Sequence, residues 1–284
     1  MLYLLGISRS TYYRKPSIVH LQRGRRRSAV TERIMDSRQI SVTEEQLLDE
    51  ITELLSREFV CYGYKKVTKH LQRSGYRINR KKVFRIMKEN RLLNHSYNYR
   101  SPAKRVVESR VTVYAPNRIW EMDIKYIYIQ GENRTAYFFA IIDCFTREVV
   151  GKHLGYHCTS HDVKKAMDFA FLDRGLEAIS GVRIRSDNGT QFVSRIVELS
   201  LSSSGIEHER IHPATPKEDA HIESFNSILE KEVVRRFEFS SFTDAENTID
   251  RFIAFYNNER LHSAIGYKAP REVYEEWKEN LLTK

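Results

Sequence analysis

Residues 119–129, IWEMDIKYIYI, alternate apolar and polar side chains for most of their length, the pattern of a strand with one buried face. Two further apolar, β-branched or aromatic runs follow, AYFFAIID at 136–143 and REVVGKHLG at 147–155, joined by a short turn, so three successive strands are expected. What comes next has to cover that sheet. Val163, Ala166, Met167, Ala170 and Phe171 recur at helical spacing, with Gly175 as a stop. GVRIRSD then reads as a short strand, 191–203 as a helix, GIEHER as another short strand, and 216–237 as a long helix after HPATP. Thr243 and Glu246 suggest a capping box ahead of an apolar face of Ile249, Phe252, Ile253 and Tyr256. Strands first, then alternating helices and strands, give a mixed α/β layer architecture.

The chain ahead of this region is written differently. TEEQ at 43–46 is a capping box, and Leu47, Leu48, Ile51, Leu54 and Leu55 predict a helix over 44–58. Tyr64, Val67 and Leu71 mark a second helix stopped at Ser74-Gly75, and Asn79 caps a third with Val83, Ile86 and Met87 inward. Lys81, Arg85 and Lys88 fall at i, i+4 and i+7 of that third helix, opposite its apolar face. A helix that packs on one side and meets phosphate on the other is written this way, as is an ordinary solvated face. No period organises the basic opening up to about residue 35.

Charge divides the chain along the same line. Residues 1–115 hold 25 Lys and Arg against 10 Asp and Glu, whereas 116–284 hold 22 against 27. A basic part beside a mildly acidic one is the electrostatic footprint of a nucleic-acid partner. The expected organisation is therefore a basic helical DNA-binding region at 1–93, a linker at 94–117 carrying Pro102 and Pro116, and an α/β core with a helical tail at 118–284. Cys61, Cys144 and Cys158 show no paired spacing, which favours a reducing compartment. The longest apolar run, AYFFAII at 136–142, falls far short of a membrane span, and the opening lacks a secretory apolar region, so the cytoplasm is expected and no membrane.

Three carboxylates stand out by position. Asp123 sits in the middle of the first strand beside Glu121 and Lys125, with Trp120, Met122 and Ile124 pointing the other way. A carboxylate there is costly unless something charged or polar receives it. Asp187 ends the fourth strand, where Asn188-Gly189 turns the chain; ligand sites of α/β sheets gather at such strand ends. Glu223, in AHIESFN, lies on the long helix with 35 residues between it and Asp187. Singly, each has a bland explanation: an ion pair, an Asx turn or a solvated helix face. Brought together they repel, a pair of unit charges about 4 Å apart costing on the order of 4 kcal/mol at an effective dielectric near 20. Only a cation makes that arrangement sensible, and hard oxygen ligands suit Mg²⁺ or Mn²⁺.

Asp123, Asp187 and Glu223 resemble the DDE signature of transposases and retroviral-type integrases. Together with WEMDIKYI, SDNGTQF, HIESFNSILEKE, the closing FIAFYNNERLHSAIGYKAPREVY and the upstream YGYKKVTKHLQRSGYRINRKKVFRIMKE, the chain is similar over nearly its whole length to the second-frame product (OrfB) of insertion-sequence-three transposases. The resemblance implies a ribonuclease H-like integrase catalytic core, a mixed five-stranded sheet with flanking helices, preceded by a small basic all-α helix-turn-helix-like domain. It implies Asp123, Asp187 and Glu223 as catalytic residues and metal ligands, with two Mg²⁺ or Mn²⁺ ions per site. It also implies metal-dependent cleavage and strand transfer of DNA at the element's terminal repeats and into target DNA. An oligomer on DNA, a first-frame partner protein or frameshift fusion, and a bacterial, nucleoid-associated location belong to the same expectation.

One position departs from the family. Seven residues beyond the glutamate a Lys or Arg is usual, but here Glu230 stands there and Lys231 follows, near enough to reach DNA. Asn226, one turn after Glu223, is expected to share its face and contact DNA or a metal-bound water. Asn188 and Gln191 either touch substrate or finish the turn. His212 contacts DNA or is a surface histidine, while His157 and His161 read as ordinary residues at a helix start. NNERLHSAIGY at 257–267 is read as packing. The alternative function is a non-catalytic regulator or relic that binds element ends, and a nuclease that cuts without joining is a third.

Overall fold

The computed structural model describes residues 30–35, 38–94, 113–210 and 220–283. Its larger part is built on a five-stranded sheet of β3 (Ile119–Ile129), β4 (Arg134–Asp143), β5 (Val149–Gly155), β6 (Arg183–Ser186) and β7 (Glu207–Arg210), in the order β5-β4-β3-β6-β7. β3, β4 and β5 form the expected antiparallel meander, with Asp123 opposite Ala140 and Phe139 opposite His153. β6 and β7 join it in parallel, Trp120 pairing with Ile184 and Glu121 with Arg185. A parallel neighbour needs a crossover, which α4 (Ser160–Arg174) and a short α5 (Leu176–Ile179) provide before β6, and α6 (Arg195–Ser203) before β7.

Period two along β3 sorts two cores. Trp120 and Met122 face Phe139, Val163, Met167, Phe171, Phe192 and Val197, the layer made with α4 and α6. Ile127 and Ile129 face the other side, where Phe138, Phe225, Phe252 and Tyr256 are covered by α7 (Ala220–Leu229) and α8 (Phe242–Asn258). Asp123 lies on that second side, so its carboxylate points toward α7.

Where a regular helix over 216–237 was expected, α7 passes at Leu229 into a π-helical turn, Glu230–Val234, and 216–219 lie outside the described residues. The cap of α8 also differs. Ser241, not Thr243, is the N-cap, accepting from Asp244 N at 3.2 Å, while the Asp244 carboxylate accepts from Ser240 N at 2.9 Å. α9 (Pro270–Leu282) closes the chain, and the buried Arg174 guanidinium lies 3.9 Å over its Tyr274 ring while pairing with the equally buried Glu148.

The smaller part packs α1 (Glu44–Ser56), α2 (Tyr64–Arg73) and α3 (Arg80–Glu89) around Leu47, Ile51, Val67, Leu71, Val83, Ile86 and Met87. Thr43 and Gln46 make the capping box read from the sequence. A hairpin, β1 (Thr31–Met35) with β2 (Arg38–Val42), adds two strands where no sequence period showed one. It is received at Gly75: φ is +89°, a Cβ would meet the Ile34 carbonyl oxygen, and Ile34 N donates to Gly75 O at 3.0 Å. The two parts touch through Phe59, whose ring lies 5.5 to 5.9 Å from those of Phe237, Phe252 and Phe255, and through Tyr62, whose hydroxyl accepts from Leu261 N at 2.9 Å.

Candidate active site

β3, the end of β6 and the first turn of α7 bring the three carboxylates to one place. Asp123 is half-buried on β3; Asp187 follows directly on β6, the parallel neighbour of β3; Glu223 is exposed in the first turn of α7, which lies across β3. Their proximity shows in the Asp123 carboxyl, pushed up to about 6. Desolvation is the main cause, the Ile124 N–H opposes it, the charges of Asp187 and Glu223 add to it, and Lys125 opposes it. A carboxyl that burial already disfavours from ionising, faced by two further anions, is the arrangement that a cation with hard oxygen ligands would relieve.

Hydrogen bonds fix two of the three. Asp123 Oδ1 accepts from Ile124 N at 2.8 Å, and its Oδ2 accepts from Asn226 Nδ2 at 2.8 Å. Asp187 Oδ1 accepts from Gly189 N at 2.9 Å, so the Asx turn is real and aims the carboxylate rather than competing with it. Behind it, Ser186 Oγ donates to Asp187 O at 2.8 Å and lies 2.9 Å from His208 Nε2.

Asn226 shares Glu223's side of α7, as the spacing predicts, but its amide is directed to Asp123 instead of standing open to a ligand. Lys81 and Lys88 are exposed on α3. Arg85, expected beside them as a phosphate contact, is instead engaged within the fold: Nη1 and Nη2 donate to the Glu44 carboxylate at 2.8 and 2.5 Å, and Nη1 to Glu89 at 2.7 Å. The reason is that the third helix carries Arg85 toward the first turn of α1, where Glu44 stands. Lys231 is exposed in the π-helical turn. Glu230 pairs with Lys125 of β3 at 2.9 Å and with Arg235 at 3.0 Å, so a cation still stands at this edge of the site, supplied by the strand. His212 lies outside the described residues.

Two residues that sequence reasoning passed over sit directly behind the carboxylates. Glu121 is fully buried and receives the start of α7: His221 N donates to it at 2.9 Å and Ile222 N at 2.8 Å, with His221 Nδ1 2.8 Å from its other oxygen. Burial holds its carboxyl above the usual range despite those donors. The signal was present as position, Glu121 two before Asp123 on the same strand face and His221 two before Glu223.

An integrase core domain model matches residues 113–216, and a second integrase core model matches 204–270. The first span holds Asp123 and Asp187, the second Glu223. An HTH-like domain model matches 43–98. The chain is 30% identical over 214 residues to the insertion element IS476 uncharacterized 39.2 kDa protein of Xanthomonas euvesicatoria, covering 74% of this chain and 60% of that one. It is 27% identical over 244 residues to the transposase for insertion sequence element IS904 of Lactococcus lactis subsp. lactis, covering 81% and 94%. Against the insertion element IS600 uncharacterized 31 kDa protein of Shigella sonnei it is 25% identical over 288 residues, covering 98% of each. Among solved structures, the simian T-cell lymphotropic virus intasome with the regulatory subunit B56 gamma of PP2A matches at 18% identity and a TM-score of 0.49, covering 79% of this chain and 74% of that one.

Proposed function

The chain belongs to the DDE-type integrase-core transposases of insertion elements, and from that premise we propose that Asp123, Asp187 and Glu223 are the carboxylates with which it cuts and joins DNA at the ends of its element. The observation that carries this is their convergence where β3, the end of β6 and the start of α7 meet, with the charges of Asp187 and Glu223 adding to the burial that holds the Asp123 carboxyl up. The donor set is all oxygen and hard, which fits a divalent cation of the Mg²⁺ or Mn²⁺ kind. When bound, two such ions would activate the attacking oxygen and stabilise the leaving one.

The chain's own contribution is placement. Asn226 and the Ile124 N–H fix Asp123, the Gly189 N–H fixes Asp187, and α7 carries Glu223 as a rigid arm. In the first step a water oxygen attacks the phosphorus at the element's end and the 3′-oxygen leaves as a hydroxyl. In the second, that 3′-hydroxyl attacks a phosphodiester of the target strand, whose own 3′-oxygen departs. Each step breaks one P–O bond and forms one, with no covalent intermediate on the protein. Lys81 and Lys88 on α3 and Lys231 beside the site supply cations to the phosphate backbone. Two ends have to be held at once, which supports an oligomer on DNA, and a first-frame partner or frameshift fusion is part of the same proposal.

The test is cleavage and joining of labelled DNA carrying the element's ends, with Mg²⁺ or Mn²⁺, comparing wild type with Asp187→Asn. Wild type should do both while the variant binds DNA equally and does neither. Equal cutting by the two proteins would remove Asp187 from the chemistry. Binding without cutting by wild type, alone and with a first-frame partner, would point to a regulator.

A further inference from the structure

Taking the carboxylate centre above as its basis, we infer that Glu121 is a positioning residue that pins the start of α7 to β3 and thereby sets where Glu223 meets Asp123. A helix begins with backbone N–H groups that have no partner inside the helix. Here two of them, those of His221 and Ile222, are taken by the Glu121 carboxylate at 2.9 and 2.8 Å, and the His221 ring reaches its other oxygen at 2.8 Å. The same strand face carries Glu121 and, two residues on, Asp123; the same helical turn carries Ile222 and, one residue on, Glu223. One buried carboxylate therefore couples the two elements that hold two of the three acidic groups, across a sequence separation of 100 residues.

A second clamp completes the joint. Asn226 bonds Asp123 one turn further along α7, so the helix is tied to the strand on both sides of Glu223. A helix held at two points against a strand can neither slide nor roll, and a ligand set built on it keeps its spacing.

Cys144 also approaches Glu121, and one ligand atom each from Glu121, Cys144 and His221 lie within 4.8 Å of one another, close enough for a separate metal ion. The positioning role fits better, because one Glu121 oxygen already accepts from the backbone N–H groups of His221 and Ile222 and the other faces the His221 ring at 2.8 Å, contacts that an ion would have to displace.

The experiment uses the full chain as wild type, Glu121→Gln and Asp187→Asn. The concentration of Mn²⁺ giving half-maximal thermal stabilisation is read without DNA, and cleavage of end DNA is read beside it. Glu121→Gln places an amide N–H against a backbone N–H and should loosen the joint. Its Mn²⁺ midpoint should rise about 10-fold or more, and its cleavage at limiting Mn²⁺ should fall about 10- to 100-fold. Raising the metal should recover part of the cleavage, while DNA affinity stays near wild type and unfolding without metal stays cooperative, its temperature lowered only by the loss of a buried hydrogen bond. A general loss of structure would abolish cooperative unfolding and DNA binding, and added metal would not restore cleavage. If wild type shows both Mn²⁺ stabilisation and cleavage and Glu121→Gln matches it, the positioning role alone is overturned. If wild type shows neither and behaves like Asp187→Asn, the carboxylate centre falls and this role with it.

Should Glu121→Gln fail to fold, two other measurements decide. His221→Ala removes only the ring contact and should raise the Mn²⁺ midpoint about 3-fold. In wild type, the amides of His221 and Ile222 should exchange with solvent far more slowly than first-turn amides of an uncapped helix. An unchanged midpoint together with open-chain exchange overturns the proposal.

Discussion

The Asn226 side-chain amide donates to Asp123 Oδ2 at 2.8 Å, joining the helix that bears one acidic residue to the strand that bears another. The sequence places Asn226 on Glu223's face and suggests a contact to DNA; the structure gives that amide an acidic partner of its own. Asn226→Ala should therefore lower cleavage about 10-fold while leaving DNA affinity unchanged, because it frees Asp123 to turn without removing a charge. Asn226→Asp should be worse, since it sets a further carboxylate against a group that burial and two neighbouring charges already hold up. Paired binding and cleavage measurements decide the matter, and a parallel loss of affinity in Asn226→Ala would return the residue to the DNA surface.

The basic face of α3 separates into two kinds of cation. Lys81 and Lys88 are exposed, whereas Arg85 is bound to Glu44 and Glu89. Replacing both lysines with alanine should flatten the dependence of log K on log salt by up to about 0.9 for each phosphate they neutralise, with no change in stability. Arg85→Ala should do the reverse, leaving the salt slope alone and lowering stability by roughly 1 kcal/mol as two part-exposed ion pairs go. Salt titrations and urea unfolding on the three proteins check both halves, and a slope change in Arg85→Ala would restore it as a phosphate ligand.

Much of this architecture was legible because it rests on periodicity. The alternation in IWEMDIKYIYI put Asp123 and Trp120 on opposite faces, and both stand so; the Asp187 turn and the apolar spacing of α4 and α8 hold for the same local reason. What the sequence could not convey is where a polar side chain finds its partner. Asn226 meeting Asp123, Arg85 meeting Glu44 and Glu121 meeting the start of α7 are contacts over separations of 41 to 103 residues, set by how elements cross. The hairpin at 31–42 was hidden for a related reason. Its strands leave Ile34, Met35 and Ile40 exposed, so little apolar alternation marks them, and Gly75 receives it from a distant turn. Ser241 displaced Thr243 as a cap because both fit the same local pattern, and the approach of Ser240 to Asp244 settles it.

NNERLHSAIGY, read as packing, contains a buried ion pair. Arg260 Nε and Nη2 donate to the two oxygens of Glu232 at 2.7 and 2.6 Å, with both side chains under a tenth exposed. This ties the segment after α8 to the π-helical turn that follows α7. Removing one partner leaves an uncompensated buried charge, so Arg260→Met should cost about 3–5 kcal/mol, while Arg260→Met with Glu232→Leu should regain most of it. Denaturant unfolding of the two variants tests this. A double variant as unstable as the single would mean that the pair does more than neutralise itself.

His262, two residues on, makes the same region sensitive to acid. Its Nε2 accepts from Arg260 Nη1 at 3.0 Å, which requires the neutral ring. Burial pushes its pKa down to about 2, and the charges of Arg260, Lys66 and Arg147 act in the same direction. In the unfolded chain the ring protonates near its ordinary value of about 6.5, so below that pH the unfolded state binds a proton that the folded state refuses. Stability from this group is therefore complete above pH 6.5 and drains away as pH falls toward 2, by about 2 kcal/mol on reaching pH 5. His262→Asn has no such proton to take up. Its own stability should change less between pH 8 and pH 5 than that of wild type, by about that amount, whatever it loses in packing. Urea unfolding of both proteins at the two pH values gives the double difference, and equal pH dependence would mean that the histidine is protonated in the folded state as readily as in the unfolded one.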